Sequence, residues 1–163
     1  MAELNRREFV KLCAVASMGL VIGIPVSARA PAGASELHPL IRIGNDGRVN
    51  LTPMWFDYEG DTVLVNVATH RKKVEWIRKN PELSILIVNP QNMYHWISIK
   101  CHVEREILED DPAEGAKVTA QLDKIWTKYT GNEPPYGLRD PSIDERRVLF
   151  VCPIDRIATF GRP

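Results

Sequence analysis

The run Thr69-His70-Arg71-Lys72-Lys73 sets three cations, a histidine and a hydroxyl where an apolar run ends and a helical pattern begins. A helix N-terminus presents free backbone N–H groups and the positive end of its dipole, so it attracts anions. Arginine grips a phosphate through two parallel hydrogen bonds, while lysine adds a point charge. Arg71 and Lys73 are therefore candidate phosphate ligands, and the same residues also read as a solvated basic helix face. His70 either touches the same anion or faces solvent. Tyr94, His95 and Tyr136 are candidate proton donors in no particular order.

Other chemistries find no support. No glycine-rich nucleotide loop opens a helix and no G-x-S-x-G is present. The four histidines, His38, His70, His95 and His102, lack metal-ligand spacing, so no metal is expected. Zero formal net charge argues against nucleic-acid binding. Three cysteines, Cys13, Cys101 and Cys152, form no C-x-x-C pair. Cys101 and Cys152 lie in apolar strand-like runs and read as inert buried thiols.

The elements that must position Arg71 and Lys73 follow from patterning. Leu40–Ile43 and Val49–Phe56 flank Asn45-Asp46-Gly47, a hairpin signal. Glu59-Gly60-Asp61 is a turn before a strand at Thr62–Val67, and His70–Lys79 is a short helix stopped by Asn80-Pro81. Leu83–Val88 reads as a buried strand and His95–Ile107 as a long one. Asp110-Asp111-Pro112 starts a helix whose apolar stripe is Val118, Leu122, Ile125, Trp126 and Tyr129, ended by Gly131. A proline-rich loop spans 132–144, then Val148–Val151 and Arg156–Phe160 close the fold as two strands. The order predicts a mainly β, α+β fold, a barrel or a sandwich. At 163 residues, 44% hydrophobic and 26% charged, the chain has room for a single folded domain, assigned to 40–163.

The first thirty residues have the layout of an export signal. Arg6-Arg7 is followed by an apolar run from Leu12 to Ile24 and small residues to Ala28, after which cleavage is expected. Arg6-Arg7-Glu8-Phe9-Val10-Lys11 resembles a twin-arginine signal, with Asn5 in place of the usual Ser or Thr. Residues 1–30 are thus read as a leader and 31–39 as a linker. A core helix, or an uncleaved signal acting as an anchor, are the other readings. The implied partner is the twin-arginine translocase and the implied location the periplasm or cell envelope. The leader together with Pro39–Val49 is also similar to the start of exported molybdenum-hydroxylase large subunits, with nothing beyond Val49 continuing that likeness.

A broader resemblance covers residue 47 to the C-terminus. The block Thr52-Pro53-Met54-Trp55-Phe56-Asp57-Tyr58-Glu59-Gly60-Asp61 leads through Val67-Ala68-Thr69 to Arg71-x-Lys73, Ile77 and Asn80-Pro81. Tyr94-His95-Trp96 and Lys128-Tyr129-Thr130-Gly131 continue it. Together they resemble the pyridoxamine 5'-phosphate oxidase-like split β-barrel family, in its branch using the deazaflavin coenzyme F420. The resemblance implies a six-stranded split barrel with short helices that forms a homodimer and holds its cofactor in a groove between subunits. It implies that Arg71 and Lys73 bind the cofactor phosphate and that Thr52, Pro53, Met54 and Trp55 run beside the tricyclic ring. Val67 and Ala68 would add contacts, and Trp96 would stand near the ring's polar edge. Core packing or dimer contact is the plain alternative for Trp55 and Trp96.

Three departures stand out: the leader replaces the family's usual first helix and strand, with Leu40–Ile43 as a substitute; Trp76 stands for a common Asn; and Cys101 stands for a common Gly. The implied activity is hydride transfer from reduced coenzyme F420 to an unsaturated small molecule. An FMN-dependent oxidoreductase of the same fold, or a non-catalytic binder of flavin, haem or tetrapyrrole, are the alternatives. An accessory role for a molybdenum hydroxylase is a fourth.

Overall fold

The computed structural model describes residues 40–43, 50–89 and 91–161. The leader, the linker and the Asn45-Asp46-Gly47 turn lie outside them. Among the described residues the strands are β1 (Leu40–Ile43), β2 (Asn50–Pro53), β3 (Asp57–Glu59), β4 (Thr62–Ala68), β5 (Glu82–Asn89), β6 (Asn92–His102), β7 (Arg105–Leu108) and β8 (Arg147–Phe160). Helix α1 (Lys72–Lys79) follows β4, and α2 (Gly115–Thr130) lies between β7 and β8. All pairings are antiparallel, in the order β2-β1-β5-β6-β8-β4-β3, with β7 also on β8.

Alternation along the strands builds one interior. Val63, Val65 and Val67 of β4, Leu83, Ile85 and Ile87 of β5, and Ile97, Ile99 and Cys101 of β6 share a core with Val148, Phe150 and Cys152 of β8. Val74 and Ile77 of α1, three residues apart, join the same core. Strand β4 is buried on both faces, because Leu64 points away from the barrel to meet Ile107, Leu149 and Val118 of α2. Covering both faces explains why the run from Val63 to Ala68 is apolar except at Asn66, whose side-chain amide donates to Val118 O at 3.0 Å.

Several expected boundaries move, for local reasons. The strand expected over Val49–Phe56 ends at Pro53, and the chain leaves the ladder before β3 so that Met54 and Phe56 drop into the core. The long strand expected over His95–Ile107 is interrupted after His102, where Val103 N–H donates to Pro81 O and Glu104 N–H to Val151 O. Conversely, the two closing strands are one: β8 runs through Pro153. The second helix begins at Gly115, after a turn in which Asp111 Oδ1 accepts from Ala113 N–H at 2.8 Å and Glu114 N–H at 2.9 Å. The acidic cap is real and sits on that preceding turn. Gly115 is fixed by space, since a Cβ there would lie 2.2 Å from the Glu109 carbonyl oxygen. Gly131 ends α2 with φ 72°, the left-handed conformation that favours glycine.

A charged network ties the 132–146 loop to the sheet. Glu109 accepts from Arg139, from Thr119 Oγ1 at 2.9 Å and from Arg147 N–H at 2.9 Å. Arg139 also donates to Glu145 O at 2.8 Å, and the Glu145 carboxylate pairs with Arg147 at 2.5 Å. Burial alone would raise the Glu109 pKa, but the bonds from Arg139, Thr119 and Arg147 outweigh it and hold the carboxyl below the ordinary range. A depressed carboxyl contributes stability above its unfolded pKa and loses it as pH falls through the folded value. Glu109→Gln is therefore expected to cost about 1–3 kcal/mol at neutral pH. Urea melts at neutral and acid pH should show the parent losing more stability on acidification than the variant.

Candidate functional site

The phosphate-site candidates lie where β4 gives way to α1. Ala68 pairs with Arg147, and Thr69 N–H and Oγ1 both donate to Arg146 O, at 2.9 and 3.2 Å. Ala68 O then accepts from Arg71 N–H at 3.0 Å, so the chain turns sharply and Arg71 becomes the extended residue preceding α1. The N–H groups of Lys72 and Lys73 open the helix, where no intrahelical acceptor exists for them. Arg71 is exposed and Lys73 half-buried. Burial, with the nearby Arg71 charge, lowers the Lys73 pKa. Neither cation forms an ion pair with a described residue. Two neighbouring cations at a helix start, neither in an ion pair with a described residue, can receive an anion. His70 is exposed beside them. Bonds from Ser142, helped by nearby His70 and Arg71, hold the Asp140 carboxyl below its ordinary range.

The segment expected beside a ring system is held by α2. Trp55 stacks on Tyr129 with centroids 5.3 Å apart and planes 6° apart, and lies 6.3 Å from Trp126. Tyr129 hydroxyl donates to Phe56 O at 3.2 Å. Lys128 Nζ lies 5.3 to 5.5 Å from the ring centres of Phe56, Tyr58 and Tyr129 and pairs with Asp57 at 3.3 Å. Lys124 pairs with the same carboxylate at 2.6 Å. Asp57 is 4% exposed, so its charge is neutralised by two lysines from successive turns of one helix face.

The two halves are connected. Trp126 meets Tyr136 edge-on at 5.6 Å, and the Tyr136 ring lies 4.7 Å from the Arg147 guanidinium carbon. Arg147 is the partner of Ala68, one residue before the Thr69–Lys73 turn. A run of contacts thus leads from Trp55 to the cation pair.

Of the remaining candidates, Thr52 has a buried hydroxyl with no hydrogen-bond partner among the described residues, and Pro53 is exposed. Such an orphaned hydroxyl, three residues before Trp55 in the chain, is free to bond a polar group of a ligand. Met54 and Val67 point into the barrel core, and Ala68 is buried. At Met54 and Val67 a ligand could meet only backbone groups. Trp96 lies on β6 and stacks on Phe160 at 6.1 Å. Among the proton-donor candidates, Tyr136 joins the ring cluster, while Tyr94 and His95 sit on β6. Trp126 and Tyr129, expected in an apolar stripe, join the site with Lys128, Asp57 and Arg147, to which the sequence alone assigns no role. The i, i+4 spacing of Lys124 and Lys128 was the available signal.

The sequence matches no protein-family profile and no curated protein. Solved structures do share its shape. A coenzyme F420 reductase is 22% identical, over 75% of this chain and 89% of that one, with TM-score 0.57. An FAD-binding protein from Mesorhizobium loti is 16% identical, over 96% and 92%, with TM-score 0.54. A Listeria innocua protein assigned as a pyridoxamine 5'-phosphate oxidase is 17% identical, over 75% and 86%, with TM-score 0.51. What these likenesses show is the fold, a split β-barrel of the pyridoxamine 5'-phosphate oxidase type.

The ring clamp should respond in a graded way. Tyr129→Phe keeps the stack and loses the bond to Phe56, costing about 1 kcal/mol. Tyr129→Leu also loses the stack, adding about 0.5–1.5 kcal/mol. Urea denaturation of the two variants checks that order.

Proposed function

We propose that this chain is an oxidoreductase that binds coenzyme F420 and passes a hydride to an unsaturated small molecule. The observation that carries the proposal is the Arg71–Lys73 cation pair, in no ion pair among the described residues and connected by contacts to the Trp55 ring cluster. The fold shared with a coenzyme F420 reductase and an FAD-binding protein supports a ring cofactor bearing phosphate.

Reduced coenzyme F420, when bound, supplies a hydride from the central ring of its tricyclic system. In this reading Arg71 and Lys73 take the phosphate, aided by the first N–H groups of α1. Thr52 hydroxyl donates to a polar atom of the ring, and the backbone at Pro53–Trp55 lies along its edge. Trp55, pinned on Tyr129, fixes that segment. Trp96 closes the other edge. Tyr136, between Trp126 and Arg147, is the proton donor best tied to this cluster. The protein thus supplies anchoring and orientation while the cofactor supplies the electrons.

Two further parts of the proposal rest on narrower observations. Met93, Tyr94 and Phe160 are exposed apolar side chains around β6 and the end of β8, which suits a homodimer contact. The Arg6-Arg7 motif supports export of the folded, loaded chain by the twin-arginine pathway to the periplasm or cell envelope.

The decisive experiment is an absorbance and fluorescence titration of the full chain with coenzyme F420 and with FMN. Binding of F420 in preference to FMN is expected, followed by oxidation of the reduced cofactor by an enone or quinone. Preference for FMN would move the chain to a flavin-dependent reading, and binding of neither would overturn the proposal. Lys73→Glu should weaken F420 binding by about 2–5 kcal/mol, and unchanged affinity would remove the phosphate role. Tyr94→Asp should convert a dimer to monomers in light scattering.

A further inference from the structure

Cys101 and Cys152 come from distant parts of the chain and meet inside the barrel. Both are 0% exposed and belong to the same core cluster. Strands β6 and β8 are ladder neighbours, with Cys101 opposite Ile154. Cys152 lies two residues earlier on β8, so the alternation of a strand puts its side chain on the same face. The register shifts between Lys100 and Cys101, so that Asp155 is left as an extra residue on β8. A bulge of this kind bends its strand and increases local twist. The Cys101 thiol lies near enough to Cys152 to act on its ionisation. Around them the cluster offers aliphatic and aromatic side chains. Neither sulfur takes part in the cation pair, the ring cluster or the Glu109 network.

We propose that Cys101 and Cys152 form an intramolecular disulfide linking β6 to β8 when the chain folds under oxidising conditions.

The closed barrel protects the reduced pair. The Cys101 thiol and burial both push the Cys152 pKa up, far above the ordinary thiol range. A neutral buried thiol is a poor nucleophile. The link must therefore form while the barrel is open. One cysteine thiolate attacks a sulfur of a low-molecular-weight disulfide, such as oxidised glutathione, and displaces one glutathione thiolate. The second cysteine thiolate then attacks the protein-side sulfur and displaces the other. Two protein S–H bonds are lost and one S–S bond forms, while the reagent's S–S bond is reduced. The two protons end on the released thiols. The cysteines are oxidised by two electrons, which the reagent accepts. Constraining the unfolded chain should stabilise the folded one. This inference is independent of the cofactor reading.

The test is to unfold the full chain in urea, refold it in oxidised and reduced glutathione, and map the cysteines by mass spectrometry without reduction. A Cys101–Cys152 peptide pair is expected in a monomer with native tryptophan fluorescence. Its urea midpoint should lie above that of the chain refolded with reductant alone. Free thiols at both positions, a link through Cys13, or a linked chain without native fluorescence would overturn the proposal. Cys101→Ala, a small apolar replacement, should fold with the same midpoint in both buffers. A midpoint that still rises in the oxidising buffer would also overturn it.

Discussion

Strand β8 must serve two sheets at once. Its first half, Arg147–Pro153, lies between β4 and β7, while its second half pairs with β6. The bulge at Asp155 marks the change, because a strand crossing from one sheet to another has to bend and twist there. Everything around the candidate site is registered against this strand. Ala68 is set by its pairing with Arg147, Thr69 by Arg146 O, and the start of α1 by the turn that follows.

Buried charge is used sparingly and in pairs. Glu109 gathers Arg139, Thr119 and the Arg147 N–H where the loop returns to β8, and Asp57 gathers Lys124 and Lys128 where β3 meets α2. Both carboxylates are desolvated, which is tolerable only with several strong partners. Arg71 and Lys73 break this pattern, since neither has an acidic ion-pair partner among the described residues. That asymmetry is what carries the proposed phosphate role of the two side chains.

Most strands and both helices were legible because their signals are local. The valines of β4, the Gly60 turn and the Gly131 cap each follow from a few neighbouring residues. Strand continuity was harder. Pro153 and Asp155 look like a break, yet β8 passes through both because partners on different sides support its two halves. Of the site, the Thr69–Lys73 turn could be read from charge and position. The Trp55–Tyr129–Trp126–Tyr136 cluster could not, because its members are brought together by the packing of α2. Nor could the meeting of Cys101 with Cys152, which depends on register. Met54 and Val67 show the converse: their positions were legible, but Met54 turns into the core where the chain departs at Pro53, and Val67 does so by the alternation of β4.

Gly115 gives α2 an unusual mechanical character. With its backbone pressed on the Glu109 carbonyl, the start of α2 lies closer to the end of β7 than any side chain would permit, which fixes that end of the helix. Tyr129 lies fourteen residues further along, a lever arm of about 21 Å at the rise of an α-helix. A tilt of about one degree at Gly115 therefore carries the Tyr129 ring, with Trp55 stacked on it, through roughly 0.4 Å. The missing methyl group at one end of the helix therefore matters at the other, because any shift forced by a side chain there is magnified at the ring stack.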